Sequence, residues 1–216
     1  MKKILLLLII PFLSFGQTPI TNDNIHDAVD EWLEDPVLAE ETYGHISDWD
    51  VSSVTFMGAL FVNANFFNED ISGWDVSNVT GMGYMFHDAT SFNQNIGNWD
   101  VSNVTGMNEI FLYSGLSVDN YDALLCGWSQ LNLVDNVTFY GGYSTYCNCN
   151  DAREYIIDTF NWDIDDGGYN CDGVNIDEVS IPKTIIKTVD ILGGDTNRKG
   201  FQLHIYDDGT VEKKYL

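Results

Sequence analysis

A stretch of 25 residues recurs three times without interruption between residues 46 and 120. The copies span 46–70, 71–95 and 96–120, and each contains the pattern W-D-V-S-x-V-T-x-M-x-x-x-F. A fixed period of this length indicates a repeat architecture, in which each copy adds one similar layer to a continuous core. The equivalent positions predicted to build that core are Trp49, Trp74 and Trp99, then Met57, Met82 and Met107, then Phe61, Phe86 and Phe111.

Two local periods follow each other within a copy. Alternation over W-D-V-S predicts a short strand with its large side chains facing inward. After V-T, apolar residues recur at spacings of three and four, as in Met82, Met85, Phe86 and Ala89, which predicts one or two helical turns. The expected fold is therefore an α/β repeat solenoid, with a parallel sheet on one side and helical segments on the other.

The polar residues of the predicted strands form an outward column. Stacked copies would place like charges about 5 Å apart along it, and two interpretations remain open. The carboxylates accept hydrogen bonds from backbone or serine groups as a structural ladder, or they form a surface for a ligand or cation. The candidate binding residues are Asp50, Asp75, Asp100, Ser52, Ser77 and Ser102.

Different sequences flank the repeats, as a stack with apolar ends requires. Residues 17–45 predict a helical cap that starts at Thr21 or Asn22 and ends at Pro36. Residues 121–171 predict a C-terminal cap, in which apolar residues at helical spacing (Tyr121 to Trp128) precede a strand over 137–142. A second helix over 152–160 and a closing strand at Trp162 and Ile164 complete it.

The N-terminus has the order of a secretory signal peptide. Lys2 and Lys3 precede an apolar run over 4–15 and small residues, which predicts cleavage before Gln17. The apolar run is too short to span a bilayer, and no later stretch is long enough. We therefore expect a soluble mature chain, residues 17–216, that is secreted or attached to the outer cell surface.

An oxidising compartment permits disulfides, so the four cysteines have three possible pairings. Cys147 and Cys149 are separated by one residue, which disfavours a bridge between them, and each therefore pairs with Cys126 or Cys171. We favour Cys147 with Cys171 and Cys126 with Cys149. A zinc site at Cys147, Cys149 and Cys171 is the alternative, although no histidine lies at ligand spacing.

After Cys171 a polar linker over 172–181 leads to a segment, 182–216, that is rich in alternating strand patterns. Asp208-Gly209 between two such runs predicts a β-hairpin. This segment contains most of the basic residues and differs in composition from the acidic remainder.

The repeat, its preceding TYGHISDWDVSSVT and the following YDALLCGWSQLNL resemble the BspA-like family of bacterial leucine-rich-repeat surface proteins over residues 21–171. The resemblance implies a secreted or surface-attached adhesin-like protein with a right-handed leucine-rich-repeat solenoid, and it supplies no catalytic residues. Many relatives have equivalents of Cys147 and Cys171. The C-terminal VDILGGDTNRKGFQLHIYDDGTVEKKYL looks like a sorting segment of the type IX secretion system, which implies recognition by that machinery at the outer membrane.

Charge and motifs exclude several function classes. The formal net charge of -24, from 33 acidic and 9 basic residues, opposes binding to nucleic acids or anionic membranes. We find no nucleophile with a base, no phosphate loop and no metal-ligand spacing, so we expect neither an enzyme nor a cofactor. DIDDGG at 163–168 lacks the ligands of an EF-hand. A looser calcium site around Asp163, Asp165, Asp166 and Asp172 is the alternative.

These observations predict a non-catalytic binding protein for adhesion to, or recognition of, a host or matrix protein or a glycan. Two alternatives remain open. One is a structural component of the cell surface or matrix that associates with itself. The other is a carbohydrate-binding accessory module that uses exposed aromatic residues such as Tyr113, Tyr140 and Tyr143.

Overall fold

The computed structural model of the chain describes residues 17–171 throughout and the backbone of three strands between residues 185 and 215. The chain divides into two compact units, Met1–Val174 and Asn175–Leu216. The predicted signal peptide over 1–16 and the predicted linker over 172–181 lie outside the described residues.

Two α-helices precede the first repeat, α1 Ile25–Glu34 and α2 Pro36–Tyr43, and the first copy begins with a 3₁₀ helix, Ile46–Asp48. The N-cap of α1 is Asn24, later than the predicted Thr21 or Asn22. Pro36 starts α2 instead of ending the helical region, because the first position of a helix tolerates the missing N–H of proline. The Asp35 carboxylate accepts the N–H groups of Val37 and Leu38, both at 3.2 Å.

The predicted α/β solenoid of leucine-rich-repeat type is wrong. Residues 49–117 contain neither helix nor strand, and they consist of turns and isolated parallel bridges such as that between Phe56 and Gly81. The two-stranded parallel sheet of the first unit lies after the repeats, with β1 Thr138–Tyr140 beside β2 Asp163–Asp165. Residues 17–171 therefore form a small α/β unit made mostly of helices and turns.

The predicted strand of each copy is interrupted by a turn. In the second copy the Asp75 carboxylate accepts the N–H of Ser77 at 3.1 Å. The N–H of Val79 then donates to the carbonyl of Val76 at 2.8 Å. These short-range bonds bend the backbone where W-D-V-S predicted an extended strand, because aspartate and serine offer the backbone local partners.

The predicted helical segment is a chain of turns. Met85 N–H donates to the carbonyl of Met82 at 3.2 Å and His87 N–H to that of Tyr84 at 3.1 Å, which are bonds between residues three apart. Tyr84 and Asp88 have φ of 61° and 58°, a left-handed conformation that a right-handed helix cannot contain. Other N–H groups of this segment donate to carbonyls of the third copy. Met82 donates to Gly106 at 2.8 Å, Tyr84 to Asn108 at 2.9 Å and Phe86 to Ile110 at 2.9 Å.

The nine residues that were expected in the core are buried there, with Trp49 the most exposed of them at 5%. Trp49 and Trp74 stack with their ring centroids 6.2 Å apart. Phe86 stacks on Phe61 at 5.5 Å and on Phe111 at 5.7 Å. Equivalent aromatic side chains thus lie above one another, and they bury apolar area that stabilises the fold.

Two helices and two disulfides close the first unit. Helix α3 is Val118–Trp128 and α4 is Asn150–Phe160. Disulfides join Cys126 to Cys149 and Cys147 to Cys171, which is the pairing that the sequence favoured. The buried Asp122 carboxylate on α3 accepts three N–H groups next to these bridges, those of Cys147, Asn148 and Cys149 at 3.0, 2.8 and 3.2 Å.

Helix α3 approaches the third copy so closely that position 127 requires glycine. A Cβ atom on Gly127 would lie 1.9 Å from the carbonyl oxygen of Gly97, a backbone atom that cannot rotate away. We expect Gly127→Ala to lower the free energy of unfolding by about 3 kcal/mol, at the upper end of overpacking costs. Urea denaturation measures this effect.

Gly106→Ala is the matched control, because a Cβ atom there would meet no atom within 4 Å. Its expected effect is within about 0.5 kcal/mol, as for other surface substitutions. Equal losses in the two variants would contradict the close approach of α3.

The second unit contains a three-stranded antiparallel sheet in the order β3-β4-β5. The strands are β3 Ile185–Asp190, β4 Phe201–Tyr206 and β5 Val211–Tyr215. Ile205 of β4 lies opposite Val211 of β5. The predicted turn at Asp208-Gly209 falls outside the described residues, and β3 lies in the strand pattern that precedes the predicted hairpin.

Candidate ligand-binding surface

The predicted aspartate column forms turns. Asp50, Asp75 and Asp100 are exposed, and Oδ1 of each accepts the N–H of the serine two residues later at 3.1, 3.1 and 3.0 Å. The hydroxyls of Ser52 and Ser77 also donate to these oxygens, both at 2.6 Å. The hydroxyl bonds, followed by the backbone bonds, lower the pKa of Asp50 and Asp75. This geometry fits the structural interpretation, and the ligand role of the column stays a prediction.

Three of the four aspartates considered for calcium, Asp163, Asp165 and Asp166, are described by the structure. Asp163 and Asp165 are exposed on β2, whereas the side chain of Asp166 is only 2% exposed. Oδ2 of Asp166 lies 2.8 Å from Nε of Arg153 and accepts the Tyr121 hydroxyl at 2.8 Å. The remaining candidate, Asp172, lies outside the described residues. Within the described part of the chain, no three His, Cys, Asp or Glu side chains are arranged to hold a metal ion.

Exposed aromatic side chains gather on one surface of the repeats and β1. The ring centroids of Tyr84 and His87 are 5.7 Å apart, those of His87 and Tyr113 are 6.2 Å apart, and those of Tyr113 and Tyr143 are 5.4 Å apart. Tyr84, Tyr113 and Tyr143 are 40%, 50% and 69% exposed. We define the tyrosine face as Tyr84, His87, Tyr113, Tyr140 and Tyr143, with the carboxylates of Asp88, Glu109 and Asp165.

Several side chains of the tyrosine face occupy left-handed backbone positions. Tyr84 and Glu109 stand at equivalent points of successive copies, with φ of 61° and 51°. Asp88 and Tyr113 form a second equivalent pair, with φ of 58° and 59°. Residues other than glycine or asparagine seldom adopt this conformation, which costs on the order of 1 kcal/mol or more. Ala59 and Asn63, the equivalent residues of the first copy, have φ of 58° and 60°, so this conformation belongs to the turns of the repeat.

Carboxylates lie between the rings. Oδ2 of Asp88 is 2.9 Å from Nδ1 of His87, and Oε2 of Glu109 is 3.4 Å from Nε2 of the same ring. The Tyr84 hydroxyl donates to Oε1 of Glu109 at 3.4 Å. Both carboxylates are thus anchored beside aromatic rings.

Hydrogen bonds also engage the other phenol groups. A bond between the Tyr113 and Tyr143 side chains is the main cause that raises the pKa of Tyr113, and the charge of Asp88 adds to it. A bond to Asp165, followed by the charge of that carboxylate, raises the pKa of Tyr140. The N–H of Tyr140 donates to the carbonyl of Met107 at 3.4 Å, which places Tyr140 beside the third copy.

Positive charge is scarce around the tyrosine face. Arg153 is the single Lys or Arg between residues 17 and 171. Its side chain is 14% exposed and is paired with Asp166. The acidic character of the first unit is therefore uncompensated at its surface, where it favours a cationic ligand over an anionic one.

The sequence identified part of this surface. Tyr113, Tyr140 and Tyr143 were proposed as exposed aromatics, whereas Tyr84, Glu109 and the grouping around His87 were missed. The available signal was the variable positions of the repeat: residues 84 and 109 stand where the first copy has Ala59, and residues 88 and 113 where it has Asn63. Core positions are constant among the copies, so positions that vary between copies are available for surface side chains.

The other histidines and the cysteines do not form a second site among the described residues. His45 Nδ1 lies 2.8 Å from the Ser47 hydroxyl, and the His26 ring lies 6.3 Å from that of Phe56. Cys126 is bonded to Cys149, so it has no free thiol. None of the helices that the structure describes is long and apolar enough to cross a membrane.

Among the comparisons with known proteins, one family model matches, and it covers the repeat region and its immediate flanks. No curated protein and no solved structure matches the chain. The matching family model begins in α2 and ends before β1, so it includes the repeats and α3 but leaves out β1 and the second unit. Over residues 37–136 the chain is thus similar to the family described as Mycoplasma protein of unknown function, DUF285.

Proposed function

We propose that this chain is an exported, non-catalytic binding protein that recognises an extracellular protein or glycan through the tyrosine face. The observation that carries the proposal is the continuous set of exposed rings from Tyr84 to Tyr143, with carboxylates between them. Tyrosine supplies a large amphipathic contact area and has few rotatable bonds, so binding costs it little conformational entropy.

An extracytoplasmic location supports this role. Two disulfides indicate an oxidising compartment. The secretory pattern over 1–16 and the resemblance of 182–216 to a type IX sorting segment supply the proposed route across the two membranes. The resemblance to BspA-like surface proteins favours adhesion or recognition at the cell surface.

The test is binding of the full chain to immobilised matrix proteins and glycans, compared with the variant Tyr113→Ala/Tyr143→Ala. We expect saturable binding to one ligand class and a loss of at least about tenfold in affinity in the variant, since exposed aromatic anchors dominate such interfaces. Tyr155→Ala is the control, because Tyr155 is 49% exposed on α4 and its ring contacts Phe160 rather than the tyrosine face.

Two results would sink the proposal. One is unchanged affinity in the double tyrosine variant, which would show that the ligand binds outside the tyrosine face. The other is turnover of a bound glycan or peptide, which would make the protein an enzyme.

A second candidate function is self-association at the cell surface, and an apolar patch near α2 favours it. Phe66, Val37 and Leu38 are 96%, 71% and 50% exposed. Phe66 also borders a groove of about 340 Å³ beside Trp32. Exposed apolar patches commonly mark protein interfaces. Sedimentation of the full chain distinguishes the two functions: self-association requires oligomers that Phe66→Asp dissociates and that Tyr113→Ala/Tyr143→Ala leaves intact.

A further inference from the structure

We propose that the tyrosine face binds lysine or arginine side chains of an extended segment of a partner protein. This inference rests on the proposed function and names the ligand chemistry of the same surface. Glu109 and Asp88 supply the negative charge, and the rings of Tyr84, Tyr113 and Tyr143 supply the contact area.

The hydrogen-bonding groups of the face favour a ligand that only donates. Carboxylates accept hydrogen bonds and cannot donate them when ionised. The hydroxyl of Tyr84 already donates to Glu109 at 3.4 Å. Ammonium and guanidinium groups carry donors and no acceptors, so they match this surface. A neutral sugar can also donate its hydroxyls to these carboxylates, but it gains neither ionic nor cation–π attraction from the face.

The same chemistry already occurs inside the first unit. The guanidinium carbon of Arg153 lies 5.3 Å from the centroid of the Tyr146 ring, while its Nε lies 2.8 Å from Asp166. A cation is thus held between an aromatic face and a carboxylate. On the tyrosine face the His87 ring already contacts Asp88 and Glu109. A cation from a partner would add cation–π contacts with the tyrosine rings and ionic attraction to the same carboxylates.

The spacing of the rings suits an extended peptide. Successive centroids along the face are separated by 5.7, 6.2 and 5.4 Å. Side chains on one side of an extended segment recur about every 6.6 Å, which is twice the rise per residue. Basic residues at alternate positions of the partner would therefore meet successive rings and carboxylates.

The experiment uses the full chain and a fluorescent synthetic peptide of alternating lysine and threonine, measured by fluorescence anisotropy. We expect saturable binding that weakens with added salt, and little binding of the same peptide with every lysine acetylated. Asp88→Asn/Glu109→Gln should weaken binding by about tenfold or more, because it removes the paired charges and keeps the shape of the face.

A charge-matched control separates the site from the general acidity of the chain. Glu40→Gln/Glu41→Gln on α2 makes the same change in net charge away from the tyrosine face, and it should leave the affinity within about twofold. Equal weakening in the two variants would show nonspecific attraction and overturn the inference. Tight binding of the acetylated peptide would overturn it as well.

The remaining outcomes distinguish the two proposals. If the lysine peptide does not bind, or if a neutral chitin oligosaccharide binds in its place, the cationic ligand is wrong. The proposed function survives that result when Tyr113→Ala/Tyr143→Ala still abolishes capture of a matrix protein or glycan. It fails when that double variant captures them as well as the wild-type chain does.

Discussion

Replacement of Trp74 by alanine is expected to lower the free energy of unfolding by about 3–5 kcal/mol, the usual cost of removing a buried aromatic side chain. The indole is 3% exposed and stacks against Trp49. Its centroid also lies 6.0 Å from that of Phe61. The indole N–H donates to the Ile46 carbonyl at 2.9 Å, so the substitution also removes a buried hydrogen bond.

Urea denaturation with fluorescence of the remaining tryptophans measures this loss. Phe66→Ala is the control, because that ring belongs to the first copy and is 96% exposed. Its expected effect lies within about 0.5 kcal/mol. A loss below about 1 kcal/mol for Trp74→Ala would mean that the aromatic stack contributes little to stability.

Replacement of Arg153 by alanine is expected to lower the free energy of unfolding by about 3–5 kcal/mol, because it leaves a buried carboxylate without its counter-charge. Asp166 is 2% exposed, and its partner Arg153 is 14% exposed. The guanidinium also donates to the Ile164 carbonyl on β2 at 3.2 Å. The Tyr121 hydroxyl donates to the same carboxylate at 2.8 Å but carries no compensating charge.

Thermal and urea unfolding of a double-mutant cycle measures this coupling. The double variant Arg153→Met/Asp166→Asn should recover part of the loss, since it removes both charges together. Glu154→Gln is the control: Glu154 lies 3.4 Å from the same guanidinium but is 52% exposed, so its loss should cost less than about 1 kcal/mol. A double variant less stable than Arg153→Ala would contradict an ionic origin of the effect.

The core could be predicted residue by residue, whereas the local backbone could not. Trp74, Met82 and Phe86 are apolar at fixed positions of a strict repeat, and such positions are buried whatever backbone carries them. The spacing of three and four between Met82, Met85 and Phe86 fits a helix, but linked turns produce the same spacing. The two cannot be distinguished without knowing that Tyr84 adopts positive φ.

The tyrosine face, too, could be predicted from the sequence only in part. Exposed tyrosines and the acidic surface follow from composition. The short distance in sequence between Cys147 and Cys149 disfavours a bridge between them, and the structure shows which of the two remaining pairings is formed. The contact of His87 with Glu109 joins residues from different copies, and that of Tyr113 with Tyr143 joins the repeats to the turn after β1. Local periodicity carries no information about such contacts.

The 25-residue period by itself determined which side chains are buried and that equivalent residues meet, because only identical apolar positions can pack repeatedly into one core. Tertiary structure decided that the copies are turns instead of strands and helices. The N–H groups of Met82, Tyr84 and Phe86 find their acceptors 24 positions further along the chain, and that choice of partner fixes the backbone. It also places residues 84, 88, 109 and 113 on the tyrosine face, where they make up half of its residues.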